Sequence, residues 1–163
     1  MEDVTLTIPT GTILLRDARP GDLDAILGLL ADDPVSASRG DANRPEDRPA
    51  YERAFEAIDA DPAQDLLVAE SADGDVLGTM QLTLIPGLAR VGALRMQIEA
   101  VRVRSDQRSS GIGSAMIRWA MEVAPERGAA LVQLTSDAAR VDAHRFYERL
   151  GFTASHVGFK YRV

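Results

Sequence analysis

Hydrophobic positions fall into short blocks of alternating and of helical spacing. The apolar run at residues 12–17 (Thr-Ile-Leu-Leu-Arg-Asp) predicts a first strand, which Pro20-Gly21-Asp22 breaks to start a helix. Leu23, Ile26, Leu27 and Leu30 follow at i, i+3, i+4 and i+7, the stripe of an amphipathic helix. Residues 32–49 then turn polar, carry Pro34, Gly40, Pro45 and Pro49, and show no apolar period. A connection that long is usually functional or disordered, and a lid over a binding site is preferred here to a merely solvated loop. Tyr51, Phe55 and Ile58 predict a second, loosely packed helix. Asp65–Ser71 and Val76–Ile85 flank Ala72-Asp73-Gly74-Asp75, a hairpin signal; Gly78 weakens the second strand locally and Pro86-Gly87 ends it.

The next strand, Leu94–Val103, has a defect in its pattern. Leu94, Met96 and Ile98 share one face, whereas Val101 and Val103 lie in the opposite phase. A period of two cannot shift by one residue inside a regular strand unless a residue is inserted. A β-bulge near Glu99-Ala100 supplies that residue; a strand buried on both faces at its end is the alternative. Arg108-Ser109-Ser110-Gly111-Ile112-Gly113 follows and opens into a helix with Ile112, Met116, Trp119, Ala120 and Val123 on one face, stopped near Val123 by Pro125. Such a turn gathers free backbone N–H groups at a helix N-terminus, where the macrodipole favours an anion, and Arg102, Arg104 and Arg108 crowd it. Residues 130–135 form a further strand, which makes a parallel pair with a right-handed crossover. Ala143, Phe146, Tyr147 and Leu150 mark a short helix with Gly151 at C′, and residues 152–163 are expected to close the chain with one or two strands.

Length and composition narrow the options. No repeat or linker divides the 163 residues, so one domain over 1–163 is expected. Eighteen basic against 25 acidic residues leave −7, which argues against non-specific nucleic-acid or anionic-membrane binding and mildly favours amine substrates. Without cysteine there is no disulfide framework, thiolate metal site or cysteine nucleophile, and two histidines make a His-rich metal site unexpected; no metal is assigned. The acidic Met1-Glu2-Asp3 start lacks an apolar targeting run, no stretch reaches 18 apolar residues, and a cytoplasmic protein is expected.

The strand order, the Arg108-Ser-Ser-Gly111-Ile-Gly113 loop and the later Phe146-Tyr147-Glu-Arg-Leu-Gly151-Phe152 segment together resemble the GNAT (Gcn5-related) N-acetyltransferase family, over roughly residues 13–163. The loop fits that family's Gln/Arg-x-x-Gly-x-Gly/Ala signature, and the later segment its Phe-Tyr-x-x-x-Gly-Phe. The resemblance implies an α/β (α+β) fold: a mixed central sheet of six to seven strands flanked by about four helices, with a splayed strand pair and a bulge at the cofactor site. It implies acetyl-CoA as co-substrate. The N–H groups of Arg108, Ser109, Ser110, Gly111, Ile112 and Gly113 would hold the pyrophosphate, with Ser114 opening the helix. The backbone of Val101 and Val103, with Arg102 between them, would pair with the pantetheine arm.

On the same resemblance Glu99 matches a general-base position, its alternative being an exposed strand carboxylate. Tyr147 matches the proton donor to the leaving thiolate, its alternative being core packing, and the Val101 N–H is the oxyanion donor. Ser109 and Ser110 depart from the family's Gly and Lys/Arg, which removes a positive charge that Arg104 or Arg108 would have to replace. Asp137, where relatives often carry Asn, has no assigned role; His144 is expected on a solvent-facing helix surface, and His156 stays a minor candidate for the acceptor pocket. The implied activity is acetyl transfer to a primary amine of a small molecule. Protein or peptide acetylation and a non-catalytic acyl-CoA-binding regulator are the other readings. A homodimer is left open, and neither nucleic acid nor membrane is expected as a partner.

Overall fold

The computed structural model describes residues 2–33, 43–161 and 163. Six strands form one sheet in sequential order: β1 Val4–Ile8, β2 Gly11–Asp17, β3 Gln64–Glu70, β4 Val76–Ile85, β5 Leu94–Val103 and β6 Ala129–Leu134. Neighbours are antiparallel except β5–β6, which is parallel, as a strand–helix–strand crossover requires. Four α-helices of nine or more residues are described, α1 Leu23–Ala31, α2 Arg48–Asp59, α3 Ile112–Val123 and α4 Val141–Arg149, besides a single turn at Ala89–Gly92. Between β4 and β5 the chain reverses through Arg90, Val91 and Gly92, all with positive φ.

The sheet separates two apolar layers. Ile13, Leu15, Leu67, Met80, Leu82, Met96 and Ile98 pack on one face against Ile112, Met116, Ile117, Trp119 and Ala120 of α3, with Phe146, Tyr147, Leu150 and Phe152 beside them. The smaller layer on the opposite face joins Leu23, Ile26 and Leu27 of α1 and Phe55 of α2 to Val68. In α1 it is Leu29 that is buried, while Leu30 is only half-buried. Only Phe55 of α2 is fully buried, consistent with loose packing.

Two expectations are corrected. An additional strand, β1, precedes the predicted one: Val4, Leu6 and Ile8 alternate with Thr5 and Thr7, and a tight turn at Pro9-Thr10 pairs Ile8 with Gly11. Residues 152–163, expected to add one or two strands, form none among the described residues, because the chain leaves Phe152 into solvent instead of returning along β6. The polar stretch at 32–49 is also shorter than read: a 3₁₀ turn starts at Pro45 and α2 at Arg48. The lid assigned to that stretch falls largely on residues 34–42, outside the described residues.

One buried charge locks β2 to its surroundings. The Arg16 side chain, 4% exposed, donates to Asp22 through Nη1 (2.7 Å) and Nη2 (3.0 Å) and to Glu70 through Nε (2.8 Å). The Arg16 hydrogen bonds, reinforced by the Arg19 N–H, hold the Asp22 carboxyl below its ordinary pKa. A depressed carboxylate contributes stability above its unfolded pKa that is lost as pH falls through the folded value. Asp22→Asn is expected to destabilise the fold by about 1–3 kcal/mol at pH 7, because the buried guanidinium loses one of its two carboxylate partners and keeps only Glu70. It should also remove part of the stability that the parent chain loses below about pH 4. Urea denaturation of both proteins at pH 7 and below 4 measures both effects.

Candidate functional site

The irregularity in β5 is a bulge. Gln81 pairs with Glu99 and Thr79 with Arg102, so Ala100 and Val101 together oppose Met80, and Ala100 adopts φ 52°. The extra residue returns Val101 and Val103 to the α3 face, where they pack on the main core. Glu99 stays exposed on the opposite face, and Arg102 points to that same face. Beside this point β6 parts from β5: their ladder ends at Ile98↔Leu134, and residues 99–103 keep only β4 as a neighbour.

The chain then makes a 3₁₀ turn at Ser105–Gln107 and enters α3 through two left-handed residues, Ser109 (φ 66°) and Gly111 (φ 96°). The first helical hydrogen bond runs from the Ala115 N–H to the Gly111 carbonyl (2.9 Å), and no side chain caps the helix. The amides of residues 112–114 therefore lack an acceptor within the helix. Gly111 is required twice over, since a Cβ there would lie 2.5 Å from Pro9 Cδ as well as sit at positive φ. A Cβ on Gly113 would meet Val103 and Phe146 at 3.5 and 3.6 Å, which places α4 against this helix start. The three arginines are not the uncompensated cluster that their spacing implied. Arg102 lies 3.7 Å from Asp33, Arg104 pairs with Asp106 at 2.7 Å, and Arg108 is 3.6 Å from Asp32.

Tyr147 lies on α4, packed on the main core and near enough to Arg102 and Arg140 to feel their charges. Its ring meets Phe146 and Phe152 edge-on at 5.1 and 5.9 Å, and burial raises the phenol pKa while Arg102 and Arg140 pull it back. Arg140, just before α4, forms a two-pronged pair with Asp33 at the end of α1 (Nη1–Oδ1 2.8 Å), so Asp33 ties α1 to α4 and to β5. Asp137 accepts the Ala139 N–H in a local turn (2.8 Å). His144 is half-buried, contrary to expectation, because its Nε2–H donates to the Asp137 carbonyl (2.8 Å). His156 is exposed, with Nδ1 2.7 Å from Ser155 Oγ.

A polar row on the Glu99 face was missed in the sequence. Gln64, Thr83, Gln97 and Gln133 are direct register partners across β3, β4, β5 and β6. Gln64 Oε1 accepts from Gln81 Nε2 (2.6 Å) and Thr83 Oγ1 (3.1 Å), and Gln133 Nε2 donates to Gln97 Oε1 (2.8 Å). The available signal was a polar residue inside each of three apolar strands, Thr83, Gln97 and Gln133, with Gln64 at the start of the fourth. Asp33 and Arg140 were missed because 107 residues separate them. Among the described residues no group of three or more His, Cys, Asp or Glu side chains is placed to hold a metal ion, and no helix is long and apolar enough to cross a membrane.

Gly78 shows how tightly the site is framed. A Cβ on it would lie 2.9 Å from the Arg102 carbonyl and 3.4 Å from Met116 Sδ. Gly78→Ala is expected to cost about 1–3 kcal/mol in urea denaturation by pushing β5 from β4 just beyond the bulge.

Comparison with known proteins gives consistent results. Residues 26–152 match the acetyltransferase (GNAT) family. The chain is 30% identical over 145 residues to aminoalkylphosphonate N-acetyltransferase of Salmonella typhimurium, covering 89% of this chain and 88% of that protein. It is 32% identical over 161 residues to streptothricin acetyltransferase of Streptomyces lavendulae, covering 86% and 82%. A Bacillus halodurans structure described as a transcriptional regulator superposes with TM-score 0.85 at 42% identity, over 93% of this chain and 99% of that one. Glucosamine-6-phosphate N-acetyltransferase from Arabidopsis thaliana shares the fold at TM-score 0.73 and 21% identity, over 91% and 96%.

Proposed function

The chain belongs to the acetyltransferase (GNAT) family, and on that premise we propose that it acetylates the primary amine of a small molecule, the amine attacking the acetyl-CoA thioester directly within a ternary complex. The observation that carries this reading is the conjunction of the bulge, the β5–β6 opening and the uncapped α3 amides along one stretch of chain. The two enzymes named above act, by their names, on an aminoalkylphosphonate and on streptothricin, which supports a small acceptor over a protein.

The residues fit coenzyme A. Acetyl-CoA supplies an already activated thioester, so the protein needs to position groups and move protons. The amides of residues 111–114, with Ser109 and Ser110 leading in, would hold the pyrophosphate at the positive end of α3. Arg108 can turn to the same phosphates, since its exposed, 3.6 Å pairing with Asp32 is worth only about 0–1 kcal/mol. The β5 edge that β6 leaves bare at Val101–Val103 offers backbone groups to the pantetheine amides, in the manner of an added strand.

Glu99, exposed at the bulge, would pass the proton of the incoming ammonium to solvent, directly or through water, and then accept the second proton that the nitrogen sheds after attack. The Val101 N–H would stabilise charge developing on the thioester oxygen. Tyr147 would return a proton to the departing thiolate; because burial raises its pKa, it stays protonated past its ordinary value of about 10. Gln81, Gln97 and Gln133 share the Glu99 face and would orient the acceptor.

The test is thiol release from acetyl-CoA across a panel of aminoalkylphosphonates, polyamines, amino acids, aminoglycosides and peptides, with turnover expected on a small amine. Activity confined to peptides would replace this reading with protein acetylation. Cofactor binding without transfer to any amine would favour a regulator, the description attached to the Bacillus halodurans structure. Gly113→Leu, which wedges the start of α3 away from Val103 and Phe146 and so displaces its amides, should weaken acetyl-CoA binding about tenfold or more, a loss of ~1.4 kcal/mol, with an unchanged circular dichroism spectrum as the control for folding. Unchanged affinity in the leucine variant would remove the phosphate-loop assignment. Tyr147→Phe should lower kcat by about 10²-fold while leaving the acetyl-CoA Kd unaltered, and an undiminished kcat would take Tyr147 out of the mechanism.

A further inference from the structure

One face of β5 carries a carboxylate, an amide and a guanidinium at two-residue spacing: Glu99, Gln97 and Arg95. Strand alternation puts all three on the side away from α3, because Met96 and Ile98 between them fill the main core. Each belongs to its own cross-strand row. Glu99 is opposite Gln81, Gln97 stands between Thr83 and Gln133, and Arg95 stands between Ile85 and Leu131. The smaller apolar layer on this side of the sheet takes in no described side chain from β5 or β6, so α1 and α2 leave these positions outside it.

These rows hold hydrogen-bonding capacity that the protein does not use. Gln81 Nε2 and Thr83 Oγ1 both donate to Gln64, and Gln133 Nε2 donates to Gln97, but no hydrogen bond joins Thr83 to Gln97. Neither Gln81 Oε1 nor Gln133 Oε1 accepts from a described residue. Both oxygens are open to solvent, since the buried orphaned polar atoms among the described residues are Arg102 Nε and Ser136 Oγ. Gln97, 7% exposed, spends its Nε2 on the Ile98 carbonyl at a weak 3.4 Å. Neutral amides that both donate and accept match hydroxyls and amides, which do the same. Arg95 is half-buried, makes no ion pair with a described carboxylate, and has apolar Ile85 and Leu131 as its register partners. A guanidinium so placed is suited to a carboxylate or phosphate.

We propose that the acceptor is an amine whose middle carries hydroxyl or amide groups and whose far end is anionic, lying along β5 with its amine at Glu99, its neutral groups at Gln81, Gln97 and Gln133, and its anion on Arg95. That the bound molecule is an acetyl acceptor rests on the acetyl-transfer reading; its recognition by these rows does not. Four residues of strand rise about 13 Å, and side-chain reach at both ends brings the separation of amine and anion to the order of 10 Å. A short aminoalkylphosphonate cannot engage Glu99 and Arg95 together, and it lacks groups for the glutamines between them. The charges also fix the direction: reversing the molecule would set its ammonium on Arg95 and its anion on Glu99.

The test is calorimetric titration of the full chain, with and without coenzyme A, using glucosamine 6-phosphate, glucosamine and 2-aminoethylphosphonate, followed by steady-state transfer from acetyl-CoA to each. Glucosamine 6-phosphate is expected to bind about tenfold or more tighter than either of the others. Arg95→Met, which keeps the stem and removes the charge, should cut the preference for the phosphate over glucosamine about tenfold, and Arg95→Lys should restore part of it. Gln133→Leu should instead weaken both sugars by a similar factor. Failure of all three amines to bind at millimolar concentration, or equal binding of the three, would overturn the proposal. So would an Arg95→Met variant that weakens glucosamine and its phosphate alike, because that is the mark of a structural role. The expected binding pattern without transfer to any amine would uphold the recognition and remove the acetyl-transfer reading. Transfer to amines that is indifferent to both substitutions would do the reverse.

Discussion

The inserted residue at Ala100 is the constraint on which the site depends. A strand shows its side chains to alternate faces, so one extra residue reverses every later assignment. Before it, Met96 and Ile98 fill the α3 side; after it, Val101 and Val103 do. Glu99 and Arg102 are thereby left on the face that carries the glutamine row and the end of α1. The local cost is a non-glycine residue at φ 52°, held by packing on both sides: the Arg102 carbonyl sits within 2.9 Å of where a Gly78 Cβ would be. The bulge also coincides with the end of the β5–β6 ladder, so the strand loses one neighbour where it changes phase.

Around that point distant segments are held by charge and by aromatic rings. Asp33 gathers Arg140 and Arg102, drawing together the end of α1, the start of α4 and the bulged strand. Phe146 abuts the start of α3 at Gly113, and Phe152 anchors the far end of α4 on Tyr147. Arg16 does the equivalent for β2 and β3, far from the opening. Such buried or half-buried pairs cost desolvation; the Asp33 pairs join α1, α4 and β5, which no ladder connects, whereas the Arg16 pairs reinforce the β2–β3 ladder.

The two halves of the candidate site stand on different footings. The helix start is built from backbone: uncapped amides, a left-handed Gly111 and the bare Cα of Gly113. The proposed reacting side would draw on side chains from separate elements, Glu99 from β5 and Tyr147 from α4. Backbone amides carry no preference for one acceptor over another, so on the proposed reading the choice of amine would rest with the side chains.

Local pattern by itself determined β3–β4 and their turn, the full extent of β5, the bulge within it, the stop of α3 before Pro125 and the Gly151 end of α4, because each rests on neighbours a few residues apart. The glycine loop and its helix were legible for the same reason. Tertiary structure alone decided that Arg108 lies beside Asp32, that Gln64, Thr83, Gln97 and Gln133 line up across four strands, and that Asp33 meets Arg140. Those facts depend on register and on contacts across as many as 107 residues, to which a local period is blind. Residues 152–163 show the difference most plainly. Their alternation is that of a strand, but a strand also needs an edge to pair with, and alternation says nothing about where that edge is.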